Sequence, residues 1–171
     1  MPKQSIQGMT VLEVMLTITV LAVVLSMGLP AMAHLIEHNR VVAAQQSLLS
    51  AIHITRSTAI KTNQRATLCP SRNGKTCTPD TDWHHGWILF PDPHAVGQPD
   101  NNIIRVENAR AHLSISGNQP VASYISYLGN GRSAQLSGAL QMGTVSICTQ
   151  NQNSAIVINS TGRPRLGSGN C

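Results

Sequence analysis

The sequence of 171 residues is poor in aromatic side chains and in acids. It has two Trp, two Tyr and one Phe, so we expect a mainly aliphatic core and no surface that stacks nucleic-acid bases on aromatic rings. Seven acidic residues stand against twelve Lys and Arg, which gives a net charge of +5. Motifs typical of enzymes are missing as well: there is no nucleophile elbow, HExxH or phosphate-binding loop. We therefore expect no enzymatic activity, cofactor or metal.

Acidic residues are absent from two long stretches, residues 38–79 and 108–171. The first stretch carries six Lys or Arg, and the second carries four Arg. Five of the seven acids are confined to residues 80–107. This segregation favours a polyanionic partner, either nucleic acid or an anionic membrane surface, while a solvated basic protein is the alternative that charge alone leaves open.

Charge of either sign is absent from Val14 to Ala33, a run of twenty residues that is long enough to cross a bilayer as a helix. Glu13 lies at the start of this run, where a carboxylate is costly and is usually retained for a task. A cleaved secretory signal, with Ala31-Met32-Ala33 as the cleavage site, and an uncleaved anchor both fit the run. Lys3 precedes it, and the positive-inside rule then places the rest of the chain across the membrane.

Cysteines are few and even in number, and all follow the apolar run. An even count in an exported domain indicates disulfides, for which three connectivities are possible. The local pairing is the simplest of the three. A zinc site that includes His84 and His85 is the alternative, but the cysteines lack the CxxC spacing that such sites use. The local pairs are Cys69–Cys77 and Cys148–Cys171.

The periodicity of apolar residues predicts one long helix from about Thr10 to about Thr62, which is apolar all round at first and amphipathic later. Gly28 and Pro30 are expected to bend or locally loosen this helix, whereas Gly and Pro are absent from Ala31 to Cys69. About seven short strands follow, so the fold class is α+β, with sheet packed on the amphipathic half of the helix. The predicted strands are Ala66–Cys69, Trp87–Phe90, Ile103–Val106, His112–Ile115, Tyr124–Leu128, Leu140–Cys148 and Ala155–Asn159.

The N-terminus resembles the class III leader of type IV pilins and pseudopilins, because Gly8 precedes Met9 and Glu13 is the fifth residue after the glycine. The resemblance implies that a prepilin peptidase cuts after Gly8, that the amine of Met9 is methylated, and that Glu13 neutralises this amine on a neighbouring subunit during assembly. It also implies a single-pass inner-membrane protein with a periplasmic C-terminal domain, which later joins a pilus at the cell surface. The implied segments are a leader at 1–8, a transmembrane and filament-core helix at 9–33, and a globular pilin domain at 34–171.

Several further segments are similar to the FimT/GspH family of minor pilins and pseudopilins. This resemblance implies an N-terminal helix packed on two antiparallel β-sheets. In the FimT branch it also implies DNA binding through a Gly-Arg-x-Arg motif near the C-terminus. The matching segments are Ala51–Cys69, the Cys69-Pro70-Ser71 loop with Cys77, the W-x-x-GW-x-x-F pattern from Trp83 to Phe90, Ser146-Ile147-Cys148, Val157-Ile158-Asn159 and Gly162-Arg163-Pro164-Arg165.

The motif Gly162-Arg163-Pro164-Arg165 suits phosphate recognition. Pro164 favours an extended backbone, on which Arg163 and Arg165 point to one side with roots roughly 6–7 Å apart. Guanidinium groups form paired bonds with phosphate oxygens, and Gly162 permits close backbone approach of a ligand. Arg132, Lys75 and Arg72 are weaker candidates for the same DNA contact.

The predicted function is therefore that of a minor type IV pilin that binds DNA without sequence preference during natural transformation. A structural minor pilin that primes pilus assembly and a minor pseudopilin of type II secretion are the alternatives. Besides DNA, the expected partners are other pilins, the prepilin peptidase and the inner membrane.

Overall fold

The computed structural model describes residues 9–79, 81–110, 112–169 and 171. The predicted leader cleavage after Gly8 lies outside these residues. The chain divides into two compact units, with the boundary between Ile36 and Glu37. A single helix, α1, extends from Val11 to Thr62, in agreement with the helix predicted from the sequence.

The N-terminal part of α1 is apolar on every side. The helix begins after Thr10, whose hydroxyl oxygen accepts a hydrogen bond from the backbone N–H of Glu13 at 3.3 Å, as in a helix N-cap. An 18-residue window of the helix has a mean hydropathy of 2.2 and none of it is buried, so α1 is long and apolar enough to cross a membrane. Met9 and Glu13, the predicted methylation and assembly residues, are both exposed here.

The C-terminal part of α1 is amphipathic and forms one wall of the core. Its buried residues recur every three or four positions, as expected when one helical face packs against another element. They join a single cluster with buried residues of both sheets, such as Trp87 and Ile147, and with Trp83. The buried apolar helix residues are Val41, Ala44, Leu48, Ala51, Ile52 and Ala59.

Two four-stranded antiparallel sheets complete the second unit, and the α+β fold class is confirmed. In the described part of the chain, the strands are β1 (Ala66–Pro70), β2 (Gly86–Pro91), β3 (Arg105–Asn108), β4 (Ser114–Gly117), β5 (Ile125–Tyr127), β6 (Gly143–Cys148), β7 (Asn153–Ile158) and β8 (Pro164–Gly167). The first sheet has the order β3-β2-β1-β5, and the second has the order β4-β6-β7-β8. A single 3₁₀ turn, Trp83–His85, leads into β2.

The strands differ from the sequence prediction in their bounds and in their number. β3 and β4 each begin two residues later than predicted, β6 begins three residues later, β7 begins two residues earlier, and β8 was not predicted at all. β8 begins with a proline, which argues against a central strand but is tolerated as the first residue of an edge strand. β8 pairs only with β7 in this sheet, with Pro164 opposite Ile158, so it is such an edge strand.

Two disulfides join Cys69 to Cys77 and Cys148 to Cys171, which is the local pairing expected from the sequence. The first closes the loop that follows β1. The second connects the end of β6 to the last residue of the chain and so restrains the segment after β8. No cysteine is free.

Candidate nucleic-acid interface

The Gly162-Arg163-Pro164-Arg165 motif lies where a tight turn enters β8. Arg163 and Arg165 are exposed, whereas Pro164 between them is buried. Both arginines line one shallow depression, together with Leu49 of α1, Asn159, Pro164 and Leu166. The alternation of exposed and buried residues therefore places the two guanidinium groups on the same side of the edge strand.

Asn159 organises the turn before the motif. Its side-chain oxygen accepts hydrogen bonds from the backbone N–H of Arg163 at 2.8 Å and of Thr161 at 3.2 Å. The backbone N–H of Gly162 donates to the carbonyl of Asn159 at 2.9 Å, which closes a four-residue turn. Asparagine at the first position of such a turn is favoured because its side chain bonds to the following backbone. The backbone N–H of Asn159 also donates to the carbonyl of Arg163 at 3.3 Å, so two hydrogen bonds to Asn159 fix the backbone of Arg163.

Gly162 is buried and packs inside the domain. It has a φ of +78°, and a Cβ there would lie 2.6 Å from the backbone nitrogen of Ser133 and 3.0 Å from the carbonyl oxygen of Gly131. The hydroxyl of Tyr127 donates a hydrogen bond to the carbonyl of Gly162 at 2.8 Å. We expected the absence of a side chain at Gly162 to let a ligand approach the backbone. In the structure, it instead lets the backbone of Gly162 pack against the neighbouring turn of Gly131 and Ser133.

Arg132 belongs to that neighbouring turn. The turn is closed by a hydrogen bond from the Gly131 N–H to the Leu128 carbonyl at 2.8 Å, and the Arg132 N–H donates to the side chain of Asn130 at 3.0 Å. Because Gly162 packs against the backbone of Gly131 and Ser133, on both sides of the exposed Arg132, the turn of Arg132 lies against the motif turn, although Arg132 is not among the residues that line the depression of Arg163 and Arg165. The structure brings this weaker candidate to the motif.

Arg56 of α1 is a basic residue that the sequence did not single out as a site candidate. Its Nε lies 3.4 Å from the place that a Cβ on Gly131 would occupy, and Arg56 is half-buried. We call Arg56, Arg132, Arg163 and Arg165 the β8 basic surface. The sequence did mark this residue indirectly, because Arg56 begins the Arg-Ser-x-Ala-Ile-Lys segment. It could not show that this segment lies near the turn of Gly131, because that proximity depends on how the helix packs.

Tyr127 lies next to this surface, because its hydroxyl donates to Gly162 and its phenol is close enough to Arg56 to be affected by the charge of that side chain. Burial raises the pKa of its phenol, while the positive charge of Arg56 acts in the opposite direction. A tyrosine phenol is already protonated at neutral pH, and the raised pKa keeps it a donor to Gly162 into more alkaline solution. The tyrosine therefore holds the motif turn onto the sheet under physiological conditions.

Arg72 and Lys75 lie elsewhere, in the loop closed by the Cys69–Cys77 disulfide. They line a second depression together with His85, Val106 and Glu107, and this depression shares no lining residue with the first. We call it the loop depression. Glu107 places a carboxylate in its wall, which is ion-paired with Arg110 at 2.6 Å and with Arg105 at 3.7 Å, so only part of its charge would oppose an incoming phosphate. The structure therefore separates these two weaker candidates from the motif.

A long helix packed on two antiparallel sheets is the architecture of pilins and pseudopilins. A family model described as Type II transport protein GspH matches residues 44–162, most of the chain. The chain therefore belongs to the GspH family of minor pilins and pseudopilins, whose members are structural subunits. Arg163 and Arg165 follow directly after the matched residues, so the match itself does not bear on them.

Solved structures with this fold come from both pilus and secretion systems. The type IV minor pilin FimU of Pseudomonas aeruginosa has a TM-score of 0.61 and 19% identity, over 77% of this chain and 90% of that chain. The minor pseudopilin EpsH of the Vibrio cholerae type 2 secretion system has a TM-score of 0.51 and 12% identity, over 75% and 97%. At these identities the similarity establishes the fold. No curated protein matches the chain.

Proposed function

We propose that the protein is a minor type IV pilin that binds DNA without sequence preference and acts in DNA uptake during natural transformation. The observation that carries the proposal is the β8 basic surface, where Arg163 and Arg165 are exposed on one side of an edge strand and the turn of Arg132 lies against the motif turn. Acids are absent from residue 108 to residue 171, so none from this part of the sequence opposes a phosphate.

Arginine suits this task because its planar guanidinium forms two parallel bonds with phosphate oxygens. Phosphate contacts carry no direct information about base sequence, which agrees with uptake of any available DNA. The turn fixed by Asn159 and Tyr127 lowers the entropy lost when Arg163 binds. One subunit with so few contacts binds weakly, and several subunits in a filament strengthen the binding by multivalency.

Display of this surface outside the cell follows from the N-terminal segment. In the proposed pathway, the peptidase removes residues 1–8, the methylated Met9 becomes the N-terminus, and α1 leaves the inner membrane for the filament. Glu13 then pairs with the Met9 amine of a neighbouring subunit, because an unpaired carboxylate in an apolar filament core is costly. The globular unit faces the periplasm before assembly.

A purely structural subunit, of a pilus or of a pseudopilus, is the second candidate function. It is favoured by the fold shared with EpsH and by the apolar residues beside the arginines. Leu166 is 56% exposed, and with Leu49 it lines the same depression as Arg163 and Arg165. An apolar depression of this kind suits contact with another protein subunit.

The deciding experiment is a salt titration of DNA binding by the full chain in an uncharged detergent. Arg163→Gln/Arg165→Gln is compared with the matched double variant Arg72→Gln/Lys75→Gln, which removes the same charge from the loop depression. Two lost phosphate contacts reduce the slope of log affinity against log salt by about 1.8, equivalent to about 60-fold in affinity at 0.1 M salt. The loop variant should retain the parent slope.

Two results would contradict the proposal. If the parent chain shows no salt-dependent DNA binding, the structural role is the better one. If both double variants lose the same affinity, binding reflects net charge and not the β8 basic surface.

A further inference from the structure

We propose that Asp82, His84 and His85 form a binding site for a divalent transition metal ion, with Zn²⁺ as the ion that suits it. The three residues flank the buried Trp83 in the 3₁₀ turn before β2. Each offers one ligand atom, and these atoms all lie within 4.8 Å of one another. The site is independent of the β8 basic surface.

The spacing of Asp82 and His84 agrees with one shared ion, and the imidazole of His85 has to turn to join them. Nδ1 of His84 is 3.9 Å from Oδ1 of Asp82, and the ligand atom of His85 lies within 4.8 Å of both. Nitrogen and oxygen ligands bind zinc at about 2.0–2.2 Å, so two ligands of one ion are separated by roughly 3–4 Å. The gap between Asp82 and His84 is too long for a hydrogen bond but fits a bridging ion.

The Nδ1 atom of His84 supplies a second, independent observation. It is buried and has no hydrogen-bond partner among the described residues. A buried polar atom without a partner is destabilising, and such atoms in native structures call for an explanation, for which an unseen ion is one standard answer. Coordination would satisfy this nitrogen.

The backbone that carries the three ligands is held from several sides. The indole N–H of Trp83 donates to the carbonyl of Ala122 at 2.8 Å, and the carbonyl of His84 accepts from the N–H of Arg110 at 2.8 Å. Asp82 forms an isolated antiparallel bridge with Ser116. Ligands that are positioned before the ion arrives lose little entropy on binding it.

Two imidazoles and one carboxylate favour zinc and related transition metals over calcium or magnesium, which prefer oxygen ligands. The guanidinium of the nearby Arg110 does not pair with the carboxylate of Asp82. Arg110 donates to Glu107 at 2.6 Å, so its guanidinium is paired with that carboxylate and not with Asp82. All four cysteines are in disulfides and offer no competing thiolate. Three protein ligands leave a coordination position for water.

The test is a calorimetric titration of the full chain in uncharged detergent with Zn²⁺, and separately with Ca²⁺. We expect one Zn²⁺ per chain and no Ca²⁺ at this site. His84→Gln and Asp82→Asn should each lower the Zn²⁺ affinity at least tenfold, because even residues that only support ligands matter by about that factor. His94→Gln is the matched control, since His94 is exposed in the loop after β2 and should leave the affinity unchanged.

Two further readouts distinguish this site from adventitious binding and from misfolded variants. Zn²⁺ should raise the Tm of the parent by several degrees at saturating ion and leave the Tm of His84→Gln unmoved. Imidazole nitrogen resonances of His84 and His85 should shift, and that of His94 should not. Absence of saturable Zn²⁺ binding in the parent chain overturns the proposal without any variant. Equal affinity of the parent, His84→Gln and Asp82→Asn also overturns it.

Discussion

The β8 basic surface and the loop depression both expose basic side chains, but they are built differently. At β8 the residues are all arginines, the turn before Arg163 is fixed by Asn159, and Gly162 packs against the turn that carries Arg132. In the loop depression, Arg72 and Lys75 share the wall with Glu107. The loop backbone is held too, because the Lys75 N–H donates to the side-chain oxygen of Asn73 at 2.9 Å inside the loop closed by the Cys69–Cys77 disulfide. The two surfaces therefore differ in side-chain type and in the neighbouring carboxylate, and not in whether the backbone is fixed.

Among the features that distinguish the two surfaces, the packing of Gly162 is the one whose loss should change the free energy of unfolding most. Gly162→Ala adds a Cβ at 2.6 Å from a backbone nitrogen, in a backbone conformation that alanine rarely adopts. We expect a loss of about 3 kcal/mol in the free energy of unfolding, from strain and overpacking together. Denaturant unfolding monitored by tryptophan fluorescence measures this loss.

Gly138 supplies the matched control. It has a similar φ of +89°, but an added Cβ meets nothing within 4 Å. Gly138→Ala should therefore show the conformational strain alone, about 1 kcal/mol. Equal losses in the two variants would mean that Gly162 does not hold the motif turn against the turn of Arg132.

Tyr127→Phe tests the hydrogen bond that joins the two turns. Removal of the hydroxyl leaves the buried carbonyl of Gly162 without this donor, and we expect a loss of about 1–2 kcal/mol at neutral pH. The matched control is Tyr124→Phe, which removes a hydroxyl that accepts from the N–H of Leu136 at a half-buried position. Ser126→Ala is less suitable, because the hydroxyl of Ser126 accepts hydrogen bonds from both Arg65 and Thr67.

The same variant carries a pH signature. Because burial raises the pKa of Tyr127, the folded state retains a proton that the unfolded state loses above about pH 10. Stability from this group is fully present below that pH and falls as the pH rises further. Tyr127→Phe should remove this part of the alkaline decline. An identical decline in parent and variant would show that the phenol is not protected in the folded protein.

Arg132→Gln tests whether the structure has added a third arginine to the motif. Loss of one phosphate contact should lower the salt slope by about 0.9, or affinity about eightfold at 0.1 M salt. Lys75→Gln removes the same charge from the loop depression and should change neither the salt slope nor the DNA affinity. If Arg132→Gln and Lys75→Gln behave alike, Arg132 does not act with Arg163 and Arg165.

The sequence predicted the parts of this picture that depend on local pattern. The helix bounds followed from apolar periodicity, with no Gly or Pro between Ala31 and Cys69, and the turn at Gly129-Asn130-Gly131 could be recognised from its residues. The role of Gly162 could not, because its partners Gly131 and Ser133 come from a distant segment. β8 was missed because Pro164 argues against a strand unless the strand is known to lie at an edge.

The smallest expected effect comes from removing the acid that distinguishes the loop depression. Glu107→Gln in the Arg163→Gln/Arg165→Gln background leaves Arg72 and Lys75 without the neighbouring carboxylate, while glutamine can still accept from Arg110. We expect DNA affinity to rise less than about threefold at 0.1 M salt, because exposed charges are screened over about 10 Å and the Glu107 carboxylate is already paired with Arg110. Return of affinity to the parent level would show that local charge balance alone decides where DNA binds, and that the arginines at β8 are not what distinguishes the two surfaces.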